Sequence, residues 1–100
     1  MSVKLLMFWD IAPEHEQEYF EFVIGEFVPG VQRLGLEPVE AWATIYGEYP
    51  QIQVAMIAPD LSKAQSVLNS PEWAHLRDKL FEFVRNYSFK LVPAKTAFQF

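Results

Sequence analysis

Cysteine is missing from this chain of 100 residues, so disulfides and thiolate metal sites are excluded and the redox compartment is left open. Glycine occurs only four times, and no glycine-rich run is present to cradle a phosphate. There is no Gly-x-Ser-x-Gly elbow to present a nucleophilic serine. Positive charge is scarce, with eight Lys and Arg against thirteen Asp and Glu and a net charge of −5. The few basic residues are not clustered, which argues against nucleic acid and against an anionic membrane as partners. No apolar run approaches the roughly 20 residues of a membrane span. The stretch from Met1 to Ile11 is too short for a signal peptide and runs at once into acidic residues. The expectation is a cytoplasmic protein.

What the chain does have is apolar surface. Hydrophobic residues make up 51% and aromatics 16%. A chain of this length forms one domain, here residues 1–100, with a core of marginal size. So rich a supply of apolar side chains favours a buried interface over a lone monomer.

Hydrophobic periodicity orders the elements. Val3 to Ile11 reads as a strand. Pro13 suits the first turn of a helix, and Glu14, Glu16 and Glu18 suit its positive end. Phe20, Val23, Ile24, Phe27, Val31 and Leu34 follow at helical spacing, with a kink or break expected near Gly25–Gly30 because Pro29 presses on the Gly25 carbonyl. Gly35 ends this helix behind Arg33. Glu37 to Tyr46 and Gln51 to Ala58 read as a hairpin turning at Gly47-Glu48. Asp60 or Ser62 caps a short helix through Asn69, and Ser70-Pro71-Glu72 starts another. Trp73, Leu76, Leu80, Phe83 and Tyr87 continue its stripe, Arg85 closes it, and Tyr87 to Pro93 forms a fourth strand. Thr96 to Phe100 predicts a fifth short strand able to reach across a dimer. The order β-α-β-β-α-β is that of an α+β, ferredoxin-like domain with an antiparallel sheet.

Hairpin parity then assigns faces. A Gly47-Glu48 loop pairs Thr44 with Gln51 and Trp42 with Gln53. Ala41, Ala43, Ile45, Ile52, Val54 and Met56 share one face, small and aliphatic, which belongs under the helices. Trp42, Thr44, Tyr46, Gln51 and Gln53 share the other, which needs a second cover. A second copy of the chain supplies it most simply.

The stretch Glu40-Ala-Trp-Ala-Thr-Ile-Tyr-Gly47, the strand from Gln51 to Pro59, Asp60-Leu61 and Ser70-Pro-Glu-Trp73 together resemble the NIPSNAP-type branch of the dimeric α/β barrel superfamily, which includes antibiotic biosynthesis monooxygenase-type proteins. The resemblance covers nearly the whole chain in element order. It implies two ferredoxin-like subunits packed sheet to sheet as a homodimer. It also implies activities ranging from cofactor-free oxidation of aromatic substrates to none known. His15 and His75 do not sit in the Asn/Trp/His context associated with the haem-degrading branch.

The candidate site residues are aromatic and polar. Trp42 and Tyr46 are neighbours on the open face, beside Gln51 and Gln53; Trp9 and Trp73 lie near the strand ends and the helix stripe. Such residues can enclose a planar ligand. Arg77, one turn beyond Trp73, can pair with an anionic group, and His75 can titrate at a pocket rim. Each has a plainer reading: the aromatics as core or interface, Arg77 and His75 as exposed helix residues. His15 with Glu18 is only a fragment of a metal site, so no metal and no cofactor are expected. The acidic helix face of Glu14, Glu16, Glu18, Glu21 and Glu26 reads as solvated. No acid–base pair identifies a catalytic residue. Two functions fit. One is a homodimer binding a small apolar or aromatic molecule, with cofactor-free monooxygenation as its best-motivated chemistry; the other is a non-catalytic dimerisation or interaction module.

Overall fold

The computed structural model describes residues 1–44 and 51–94. Its strands are β1 (Val3–Ile11), β2 (Glu37–Ala43), β3 (Ile52–Ala58) and β4 (Val84–Pro93). They form one antiparallel sheet in the order β2-β3-β1-β4. With two helical crossovers this is the ferredoxin-like arrangement expected from the sequence.

Alternation along β1 buries Leu5, Met7 and Trp9 almost completely. These residues pair with Met56, Val54 and Ile52 of β3, so all six share the helix-covered face. Across the hairpin Trp42 pairs with Gln53 and Ala43 with Ile52, and the Thr44 N–H donates to the Gln51 carbonyl at 2.7 Å. The register and the two faces are those parity assigned. Ile45 and Tyr46, the turn itself and the tail strand from Thr96 to Phe100 lie outside the described residues.

The first helical region carries an irregularity next to Pro29, as expected, but as a widened turn and not a break. A 3₁₀ turn (Pro13–His15) leads into α1 (Glu16–Phe22), a π-helical turn (Val23–Phe27) and α2 (Val28–Arg33). The rod is not broken. At its centre the Val28 N–H donates to the Val23 carbonyl, five residues back. The widened turn makes room for the Pro29 ring, which an α-helical turn would press against the Gly25 carbonyl. It also adds one residue to the repeat and so rotates the buried face. Tyr19, Phe22, Phe27 and Val31 are buried, whereas Phe20 and Ile24 are exposed. The C-terminus closes as a Schellman motif: Leu36 N–H to Val31 carbonyl, Gly35 N–H to Gln32 carbonyl, each at 3.0 Å, with Gly35 at φ +98°.

Asp60 caps α3 (Leu61–Leu68), accepting from the Lys63 N–H at 2.7 Å. Ser70 caps α4 (Pro71–Leu80), accepting from the Trp73 N–H at 3.2 Å. Here too the sequence expectation needs correcting. The α4 stripe stops at Leu80, and Arg85 lies in β4 opposite Asp10 instead of closing the helix. Val84 pairs with Ile11, and Ala12 N–H donates to the Phe83 carbonyl at 2.8 Å. Strand pairing at this point outcompetes a further helical turn. A bulge at Asn86, with φ 58°, shifts the β1–β4 register between Phe8 and Asp10.

All helices cover one face. The core holds Leu5, Met7, Trp9, Tyr19, Phe27, Met56, Trp73 and Leu80. Leu6, Phe8, Gln53, Ala55, Ile57 and Lys90 lie on the other face by pairing, joined by Trp42.

Candidate functional site

β4 is an edge strand, and the helices do not reach fully over it. Tyr87, Phe89 and Leu91 alternate onto its helix-side face. Phe89 pairs with fully buried Met7 yet is itself 48% exposed. The uncovered strip is the floor of a groove of about 520 Å³. Leu68 and Gln65 of α3 form one end, Trp73 and Arg77 of α4 the wall, and Phe81 the turn beyond.

Helical geometry explains the wall. Trp73 and Arg77 are four residues apart and share a face of α4. Trp73 is buried, with its ring edge-on to Phe27 at 6.0 Å. Arg77 stays half-exposed at the rim, its Nε and Nη2 donating to Asp78 Oδ1 at 3.4 and 3.3 Å. Tyr87 is the centre of an aromatic cluster. Its ring lies 5.0 Å from Phe81, 6.3 Å from Phe89 and 6.3 Å from Trp9, nearly parallel to the indole. Burial pushes the Tyr87 hydroxyl up to about 12, with the Arg77 guanidinium working against it. At neutral pH it is therefore an O–H donor and not a base. The groove offers a flat apolar ring a stacking surface and one phenolic donor, with the Arg77 guanidinium at its rim paired to Asp78, which also lines it.

The residues singled out in the sequence do not converge on one place. Trp73 and Arg77 meet in this groove. Trp9 is 1% exposed and belongs to the core, its Nε1–H donating to the Tyr19 hydroxyl at 2.9 Å. His75 is two residues from Arg77 and so faces another way. It lines a separate groove between α2 and α4, of about 570 Å³, with Arg33 and Glu72 above Gly30, Leu34 and Leu76. That groove is open and carries no aromatic wall. Trp42 stands 57% exposed on the open sheet face and lines none of these grooves. Tyr46 lies outside the described residues. Sequence reasoning passed over Phe81 and Phe89, and took Tyr87 partly as a helix residue. The usable signal was the alternation Tyr87-Ser88-Phe89-Lys90-Leu91 on a strand whose proline marks an edge.

Elsewhere the polar groups are structural. His15 Nδ1 lies 3.2 Å from Glu18 on an exposed helix start. Glu26, expected on the solvated face, pairs with Lys79 at 2.8 Å and ties the π turn to α4. Among the described residues no three His, Asp or Glu side chains are grouped to hold a metal, and no helix is long and apolar enough to cross a membrane.

No protein-family model and no curated protein sequence matches this chain. Solved structures do match it over nearly its full length. A NIPSNAP family protein from Agrobacterium tumefaciens is 14% identical, with 98% of this chain and 96% of that one covered and a TM-score of 0.72. An antibiotic biosynthesis monooxygenase-like protein from Deinococcus radiodurans is 12% identical, with 100% and 98% covered and a TM-score of 0.73. A dimeric protein of unknown function and ferredoxin-like fold from Bacteroides fragilis is 15% identical, with 93% and 96% covered and a TM-score of 0.64. This chain has their fold, and the NIPSNAP resemblance read from its residues is met at that level.

Proposed function

We propose that this protein is a homodimer that binds a small aromatic molecule bearing an anionic group in the groove between α3, α4 and β4. The observation that carries the reading is Arg77 standing at the rim of a groove walled by Trp73, Phe81, Tyr87 and Phe89. A planar ligand stacks on these rings while the guanidinium takes its carboxylate or phenolate. The open sheet face supports assembly: there Trp42, Leu6, Phe8 and Ile57 present apolar surface that no helix among the described residues covers. The dimeric Bacteroides fragilis protein of the same fold supports it.

Cofactor-free oxidation of an electron-rich phenol by dioxygen is the chemistry this site suits best: one oxygen atom enters the ring to give a quinone and the other leaves as water. The neutral Tyr87 O–H would donate to an oxyanion developing on the ring. The interaction-module reading has the exposed Trp42 on its side.

Titration with aromatic carboxylates and their neutral amides, followed by tryptophan fluorescence, tests the groove. Carboxylates are expected to bind about tenfold more tightly, equal to about 1.4 kcal/mol. Arg77→Gln should erase that preference and leave amide binding unchanged. Equal affinity for acid and amide in the wild type, or no saturable binding of either, would sink the proposal.

A further inference from the structure

A second space lies behind the aromatic groove and has a different character. It is a partly open apolar pocket of about 100 Å³ between the π turn and the sheet, with its mouth at exposed edge strand β2. Trp9, Phe27, Val31, Val54 and Met56 form its inner walls, and Glu40 and Ala41 of edge strand β2 stand at its mouth. Two irregularities frame it. The π turn adds one residue to the helix above. A bulge between Pro38 and Glu40 adds one to β2, bringing both Pro38 and Ala41 to the cavity side. Each lifts a wall away from the close contact that regular geometry would make, and both devices recur next to functional sites.

The chemistry of the lining selects the occupant. The one polar atom on the inner walls' side chains, Trp9 Nε1, is already bonded to the Tyr19 hydroxyl at 2.9 Å, and Glu40 is an exposed residue at the mouth. Trp9 therefore offers a ring and no donor. A water molecule needs two to four polar partners and finds none among these walls, whereas an apolar cavity of ~150 Å³ stays dry and takes up benzene or xenon. We infer that this cavity is a binding site for nonpolar molecules of gas size, the class to which dioxygen belongs, and that it is too small for a benzene ring. It is separate from the groove. Trp9 stacked on Tyr87, and Phe27 against Trp73, stand between the two as a partition two rings deep. The inference therefore does not depend on what the groove binds.

Methyl NMR spectra of the full-length protein under xenon pressure decide it. Saturable shifts are expected at Val31, Val54 and Met56, with Leu68 and Leu91 of the groove unmoved. Ala41→Leu, on the exposed edge strand, should fill the space and reduce the xenon shifts at least fivefold in a protein that still unfolds cooperatively. Benzene should produce no shift in the wild type and should enter once Val54→Ala enlarges the space. Absence of xenon shifts in folded wild-type protein would overturn the inference. So would shifts undiminished by Ala41→Leu, or benzene saturating the wild-type cavity. Loss of carboxylate binding in the groove with xenon shifts intact would strike only the functional reading above.

Discussion

At the scale of single residues, the polar side chains that matter hold irregular backbone. Asp10 accepts from the Asn86 side chain at 2.9 Å and from the Gln51 N–H at 2.8 Å, pinning the β4 bulge and the start of β3 to the end of β1. Asn86 also occupies the left-handed region, which asparagine tolerates better than most residues. Asn86→Ala removes both advantages and should cost about 2 kcal/mol. Asn86→Gly keeps the backbone conformation and should cost about 1 kcal/mol, as read by denaturant unfolding. The Asn86 hydrogen bond, followed by that from Gln51, holds the Asp10 carboxyl below its ordinary value against the opposing effect of burial. Its stabilising contribution is whole above the unfolded value of 3.8 and is lost as pH falls through the lower folded value. At the alkaline end the sign reverses. Burial raises Tyr87 from 10.0 to about 12, and Tyr19 shifts the same way. Stability should hold up to about pH 10 and fall as pH rises through about 12. Unfolding midpoints measured across that window should decline less steeply in Tyr87→Phe.

At the scale of elements, caps and strand periods could be read directly, because their causes are local. Asp60, Ser70 and Gly35 each act within a turn of themselves, and the Trp42–Gln53 register is the one that hairpin parity predicts. The π turn was not legible. Pro29 announced a disturbance, but whether a helix breaks or widens depends on the sheet it must keep covering. The glycines on either side of Pro29 show the difference. A Cβ on Gly25 meets nothing within 4 Å, so Gly25→Ala should stabilise by about 0.5–1 kcal/mol. A Cβ on Gly30 would lie 2.7 Å from Leu76 Cδ1, and Gly30→Ala should instead destabilise by about 1 kcal/mol, the packing cost exceeding the helical gain. Thermal unfolding of the two variants should move in opposite directions. The α4–β4 boundary failed for a related reason: Phe83 and Val84 fit the helical stripe equally well, and pairing of Val84 with Ile11 decided the matter.

At the scale of the whole molecule, the helices among the described residues cover one sheet face and leave the other open. If a second copy covers the open face, the protein should run as a dimer in light scattering, and Trp42→Glu should raise the dimer dissociation constant at least tenfold, about 1.4 kcal/mol. The same substitution should leave carboxylate binding in the groove unchanged, since Trp42 does not line it. Of the five described residues proposed from sequence for a ligand, Trp73 and Arg77 line the aromatic groove, because their four-residue spacing is itself local. Trp9, Trp42 and His75 are equally aromatic or polar in sequence but are carried to the core, the open face and an outer groove. The sequence by itself determined element order, strand register and the division of the sheet into two faces, since capping, turn chemistry and alternation act over a few residues. Only the tertiary structure decided which rings meet around Tyr87, how the helix absorbs Pro29 and where empty space remains. These depend on contacts between segments far apart in the chain, whose competing demands no local pattern records.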